Sequence, residues 1–163
     1  MDTVQIKTEN AIKAYNNGCG DVKKVLSDLF GAETFTPKNI MDRVKSFDDA
    51  CDALGMTTTK TNCGNITSVV LTQGDQKSID AYGKLIIIAR ALNEGWTPDW
   101  KNSSQYKYYP WFDLSSGSGL SFSGYGSQCS NSFVGSRLCF KSRELAEYAG
   151  KQFIDLYKEF FII

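Results

Sequence analysis

Eleven of the chain's 21 aromatic residues (3 Trp, 8 Tyr and 10 Phe) crowd into the quarter of its length between Trp96 and Phe140, and helical patterns flank that segment on both sides. Aromatic side chains bury large areas, so such a segment is either the core of a small sheet or a surface built for contact. Residues 106–114, 120–123 and 133–140 read as strands, with turns in the Ser/Gly-rich stretches between them. Strand alternation puts Tyr106, Tyr108 and Pro110 on one face and Lys107, Tyr109 and Trp111 on the other. One face is expected to feed the core and the other to be free, with Trp111, Phe112 and Phe140 among the core residues.

The flanking helices follow from spacing. After Ser142, a helix cap, Leu145, Ala149, Phe153, Leu156 and Phe160 recur one helical step apart, predicting a helix over 143–161. Ile79, Tyr82, Ile86, Ala89 and Asn93 mark another over 75–94, ended by Gly95. The N-terminal third reads as short helices. Thr8 is expected to cap 9–16, Asp21 to cap 22–30, and Ser46 to cap 47–54. Val22, Val25, Leu26 and Leu29 share a face of the second. Each is too short to stand alone. Residues 56–74 are rich in Thr, Asn and Gly and read as a linker, with room for one strand at 66–71. The expected architecture is α+β: a helical region over 1–55, a linker over 56–74 and an α+β domain over 75–163.

Composition removes whole classes of chemistry. The chain has no histidine, which excludes Ser-His-Asp and Cys-His nucleophiles, HExxH metalloprotease sites and mixed Cys/His zinc fingers. Its 18 Lys plus Arg balance 18 Asp plus Glu, without the basic excess of a protein devoted to nucleic-acid phosphates. The five cysteines are irregularly spaced with no CxxC pair, as in reduced intracellular proteins. No signal peptide and no membrane-spanning run is visible, so the host cytoplasm or a virion is the expected location. Asp48 with Asp49 and Glu144 with Glu147 are expected on solvated helix faces. Glycines 117–126 lack the P-loop pattern, and neither Cys129 nor Cys139 has a histidine to activate it. No enzyme activity, cofactor or metal is expected.

Residues 115–132, SSGSGLSFSGYGSQCSNS, combine rigid aromatics with small polar groups, the composition of antibody-type binding loops; a solvated turn region is the alternative. The candidate binding residues are Trp100, Tyr106, Lys107, Tyr108, Phe122, Tyr125, Gln128, Asn131, Arg137 and Lys141. A second reading uses Trp100, Tyr106, Tyr108 and Tyr125 as a stacking platform for single-stranded nucleic acid, with Lys101, Lys107, Arg137, Lys141 and Arg143 along its backbone.

Four blocks, ALNEGWTPDW (91–100), YKYYPWF (106–112), VGSRLCFKS (134–142) and ELAEYAGKQF (144–153), resemble a widespread uncharacterised protein family encoded by phages and prophages of gut Bacteroidota. A weaker similarity extends over TPKNIMDRVKSFDDACDALG (36–55). The resemblance implies a source and no particular biochemistry. Residues 134–138, VGSRL, are also similar to the closing strand of the C-type-lectin-like fold, often VGFRL, with Ser136 in place of the aromatic. That fold includes variable receptor-binding proteins of some phages. Together these readings imply a non-enzymatic phage or prophage binding protein that presents residues 115–132 to a protein or glycan partner. The alternatives are a single-stranded nucleic-acid-binding accessory protein and a virion structural component.

Overall fold

A computed structural model describes residues 6–35, 39–56, 72–115 and 119–162, in two compact units, Met1–Asn39 and Ile40–Ile163. The units part at residue 39 rather than within 56–74. The cause is packing: Ile40, Val44 and Ala50 belong to the same buried cluster as Leu85, Ile88 and Leu92. Residues 57–71, with the strand expected at 66–71, lie outside the described residues.

The first unit holds α1 (Thr8–Asn17), α2 (Gly20–Phe30) and a 3-10 turn (Ala32–Thr34). Both helices begin one or two residues earlier than expected. Lys7 and Cys19 occupy the cap positions without side-chain capping bonds. Thr8 therefore lies inside α1, and Asp21 acts on the first turn of α2 through the helix dipole. Tyr15 stacks on Phe35 at 4.3 Å, and Phe30 meets Phe35 edge-on.

The second unit is built on α5 (Gln73–Asn93). Thr72 and Asp75 form a reciprocal capping box at its start, as Ser46 and Asp49 do for α4 (Phe47–Ala53). The short α3 (Ile40–Arg43) precedes α4. Tyr148 Oη donates to the Val44 carbonyl and Gln152 Nε2 to that of Lys45, tying this N-terminal piece to the last helices.

The expected C-terminal helix is two: α6 (Arg143–Gln152), capped by Ser142 as predicted, and α7 (Ile154–Phe161). The break falls at Phe153 (φ −112°, ψ 28°), a buried residue of the core cluster. It turns α7 onto α5, where Phe160 stacks on Tyr82 and its carbonyl accepts from Ser78 Oγ.

The sheet has two antiparallel strands among the described residues, β1 (Lys107–Asp113) and β2 (Ser121–Gln128). The register runs Lys107↔Gln128, Tyr109↔Gly126 and Trp111↔Gly124, then shifts so that Phe112 faces Phe122, leaving Ser123 as the bulged residue. Eight residues of the supposed loop 115–132 are therefore strand, with Leu120 buried beside it.

The strand expected at 133–140 is not formed; only Phe140 pairs, with Tyr108. The preceding backbone is satisfied otherwise. Ser132 Oγ accepts from the Val134 and Gly135 amides, and Gly135 takes φ +67°. The buried Asn93 side chain donates to the Cys139 carbonyl (2.9 Å) and accepts from the Lys141 amide (3.0 Å).

Helix α6 crosses the Pro110/Phe122 face at Gly150, where a Cβ would lie 2.7 Å from the Phe122 ring and 2.8 Å from Pro110. Phe140 is buried and Phe112 packs half-buried on the core, as expected. Trp111 departs from expectation: it is 50% exposed, because it points away from α6 on the opposite face.

Candidate functional site

The outer face of the hairpin carries Lys107, Tyr109 and Trp111, and it is not simply free. Lys107 is 1% exposed. Its ammonium donates to the backbone carbonyls of Asp99, Gln105 (2.8 Å) and Cys129 (2.8 Å), with Asn102 at 3.4 Å. The Trp100 ring lies 5.2 Å from it, an arrangement that adds cation–π attraction. A buried ammonium is stable only when its donors are taken, and here four carbonyls surround it. The expected role of Lys107 in contacting a partner is therefore corrected: it is a clip inside the fold. Trp100 is half-buried in the same clip, its indole N–H donating to Ser136 Oγ at 2.7 Å. Ser136, which replaces the aromatic of the lectin-like pattern, thus anchors a tryptophan.

Beyond the clip, glycines on β2 shape the face. Tyr109 lies across Gly126, where a Cβ would come within 2.5 Å of its ring, and Tyr109 is buried. Trp111 lies opposite Gly124 and so has no side chain facing it across the strands. Its ring meets Phe133 edge-on at 6.5 Å, and Phe133 is 77% exposed. These two adjacent exposed rings, with Phe133 inside the run from Leu114 to Ser136 that holds no charged residue, offer an apolar contact surface.

The opposite face ends in a ladder of tyrosines. Tyr106 neighbours Tyr108 at 6.3 Å, and Tyr108 neighbours Tyr125 at 5.9 Å. The Arg143 guanidinium sits 4.7 Å above the Tyr125 ring. Tyr106 and Tyr125 are exposed and Tyr108 is half-buried. The cations beside this ladder are largely engaged. Arg143 pairs with Glu147 at 2.7 Å, which holds the Glu147 carboxyl below its ordinary range. Lys141 pairs with Glu94, which also binds Arg43. Arg137 is exposed.

The remaining candidates scatter. Phe122 packs half-buried between Phe112 and Gly150. Gln128 lies opposite Lys107 with its Oε1 buried and unpartnered, and Asn131 is exposed. The structure thus brings Tyr106, Tyr108 and Tyr125 together and separates them from Trp100 and Lys107. Phe133 and the exposure of Trp111 were missed as site features. The signal for Trp111 was Gly124 on β2, which puts no side chain across from it once the register is known.

No group of three or more metal-ligating side chains occurs among the described residues. Asp49 caps α4, and Glu147 is held by Arg143. A cleft of about 450 Å³ is lined by Gln73, Gly74, Lys77, Gly119, Lys158, Glu159 and Ile162, with no hydroxyl or thiol side chain among them. No described helix is long and apolar enough to cross a membrane. No family model, curated protein or solved structure matches the chain.

Proposed function

We propose that this is a non-enzymatic binding protein of a phage or prophage. It acts in the bacterial host or the virion, and holds a protein or glycan partner on the outer aromatic face of its hairpin. The observation that carries the reading is the exposed pair Trp111, on β1 opposite Gly124, and Phe133, in the uncharged stretch that follows β2. An exposed ring on a paired strand, as Trp111 is, offers contact area with little entropy to lose, and uncharged Ser, Asn and Gln supply adaptable hydrogen bonds nearby. The four blocks that resemble a phage and prophage family support the source. The engaged carboxylates and the lack of histidine support a role without catalysis.

The test compares the wild type with the Trp111→Ala/Phe133→Ala double variant for capture of host-surface glycans on an array and of host proteins on a column. Loss of capture with an unchanged circular dichroism spectrum is the expected result. Equal capture by both proteins would count against this face.

The tyrosine ladder favours single-stranded nucleic acid as a second reading. Its flanking cations count against it, because Lys107 is buried and Lys141 and Arg143 are paired within the fold. Oligonucleotide binding that weakens steeply with salt and is lost in Tyr106→Ala would make it the better account.

A further inference from the structure

The first unit lacks a core of its own. Among its described residues only Ala11 is buried, and α2 has no buried residue although apolar side chains recur along it. Val22, Val25 and Leu29 share one stripe and are 42%, 56% and 70% exposed. Val22 lies beside Gly18 at the end of α1, but the side of α2 that makes its aromatic contacts is different. Lys23 lies over the Tyr15 ring and Phe30 meets Phe35, about 110° around the helix from the stripe. An 11-residue helix is marginal in water by itself. A unit of about 40 residues needs a disulfide, a metal or an oligomer to hold it. Cys19 is a free thiol, and no metal-binding group occurs among the described residues.

We propose that the protein self-associates through α2, two copies laying their Val22–Val25–Leu29 stripes together to make a core that neither holds alone. The three side chains present roughly 300 Å² of apolar surface, over half of the roughly 500 Å² of apolar area that one partner brings to a homodimer interface of standard size. Charge agrees with a like partner. Residues 1–39 carry five acidic and five basic side chains, so two copies meet without net repulsion, and a partner chosen by charge has nothing to read. A two-fold axis needs only one self-complementary patch, which the stripe supplies.

The test is sedimentation velocity of the full chain across a wide concentration range, with hydrogen exchange of the α2 amides at both ends of it. The expected species has twice the 18.1 kDa of one chain, with α2 protection that rises with concentration. Val25→Glu/Leu29→Glu should return it to a monomer while the near-ultraviolet spectrum of the tryptophans is unchanged. Trp111→Ala/Phe133→Ala should stay dimeric, which separates this interface from the proposed partner surface. A wild-type monomer throughout, α2 protection independent of concentration, or a dimer that survives the glutamate substitutions would each overturn the proposal. The stripe would then be covered by another part of the chain or by a foreign protein.

Discussion

Lys107 shows how one side chain can reverse its apparent role. In an alternating strand beside tyrosines it reads as an exposed cation. Its environment consists of carbonyls from residues 99, 102, 105 and 129, and nothing in side-chain spacing marks a backbone group as an acceptor. Replacing it with Met leaves those carbonyls buried and unpaired. Lys107→Met should lower stability by about 3 kcal/mol, read as an earlier midpoint in urea. Local features were legible by contrast. Ser46 and Ser142 cap as expected because a capping bond needs only three residues of chain. Protonation carries a prediction too. The Asp49 carboxyl lies below its ordinary range through hydrogen bonds from Ser46 and Lys45, and Asp75 through those from Thr72. Their folded-state values are depressed, so their contribution is present above about pH 4 and is lost as pH falls through those values. Asp49→Asn should therefore make stability fall less between neutral pH and pH 3, measured by denaturant titration. At the alkaline end, burial pushes the Cys139 thiol up to about 11. The stability it contributes is complete below pH 9 and is lost towards pH 11. In the native protein Cys19, which is exposed and whose thiol is lowered by amides at the start of α2, should be alkylated well before Cys51 and Cys139.

At the scale of elements, periodicity located the helices and could not locate their breaks. Leu145, Ala149, Phe153 and Phe160 keep one stripe across 143–161. Phe153 nonetheless leaves the helix because its ring is buried against Tyr148 while α7 turns to meet α5. The third strand failed for a related reason. Residues 133–140 carry apolar side chains suited to a strand, yet Ser132 and Asn93 take their backbone groups. Asn93→Ala should expose this substitution of side chain for sheet. The Cys139 carbonyl and Lys141 amide would lose their partners, and amide exchange at Phe140 and Lys141 should quicken together with that at Tyr108. Gly150→Ala tests the helix–sheet contact. Its new methyl group would overlap Phe122 and Pro110, and a loss of about 2 kcal/mol is expected, read as a lower melting temperature. Glycine at that position carried no sequence signal, because only the docked sheet makes the absence of a side chain matter.

For the whole molecule, the boundary at residue 39 was hidden because composition pointed to the Thr/Asn/Gly-rich stretch further on. Ile40 and Val44 look like one more short amphipathic helix until their shared cluster with α5 is seen. Two units of unequal core imply two unfolding transitions. The first unit should melt earlier, at a temperature that rises with protein concentration if α2 is the dimer surface. Scanning calorimetry at several concentrations reads this directly. The Lys107 clip has a further consequence, for the order in which the chain can be made. The ammonium needs the carbonyl of Cys129, and Asn93 needs that of Cys139, residues 22 and 46 positions further along. During synthesis α5 and the lead-in to β1 leave the ribosome with these polar groups unanswered. The nascent chain closes around Lys107 only after β2 has emerged, and around Asn93 later still, so the second unit ripens from its middle outward as its C-terminal third arrives.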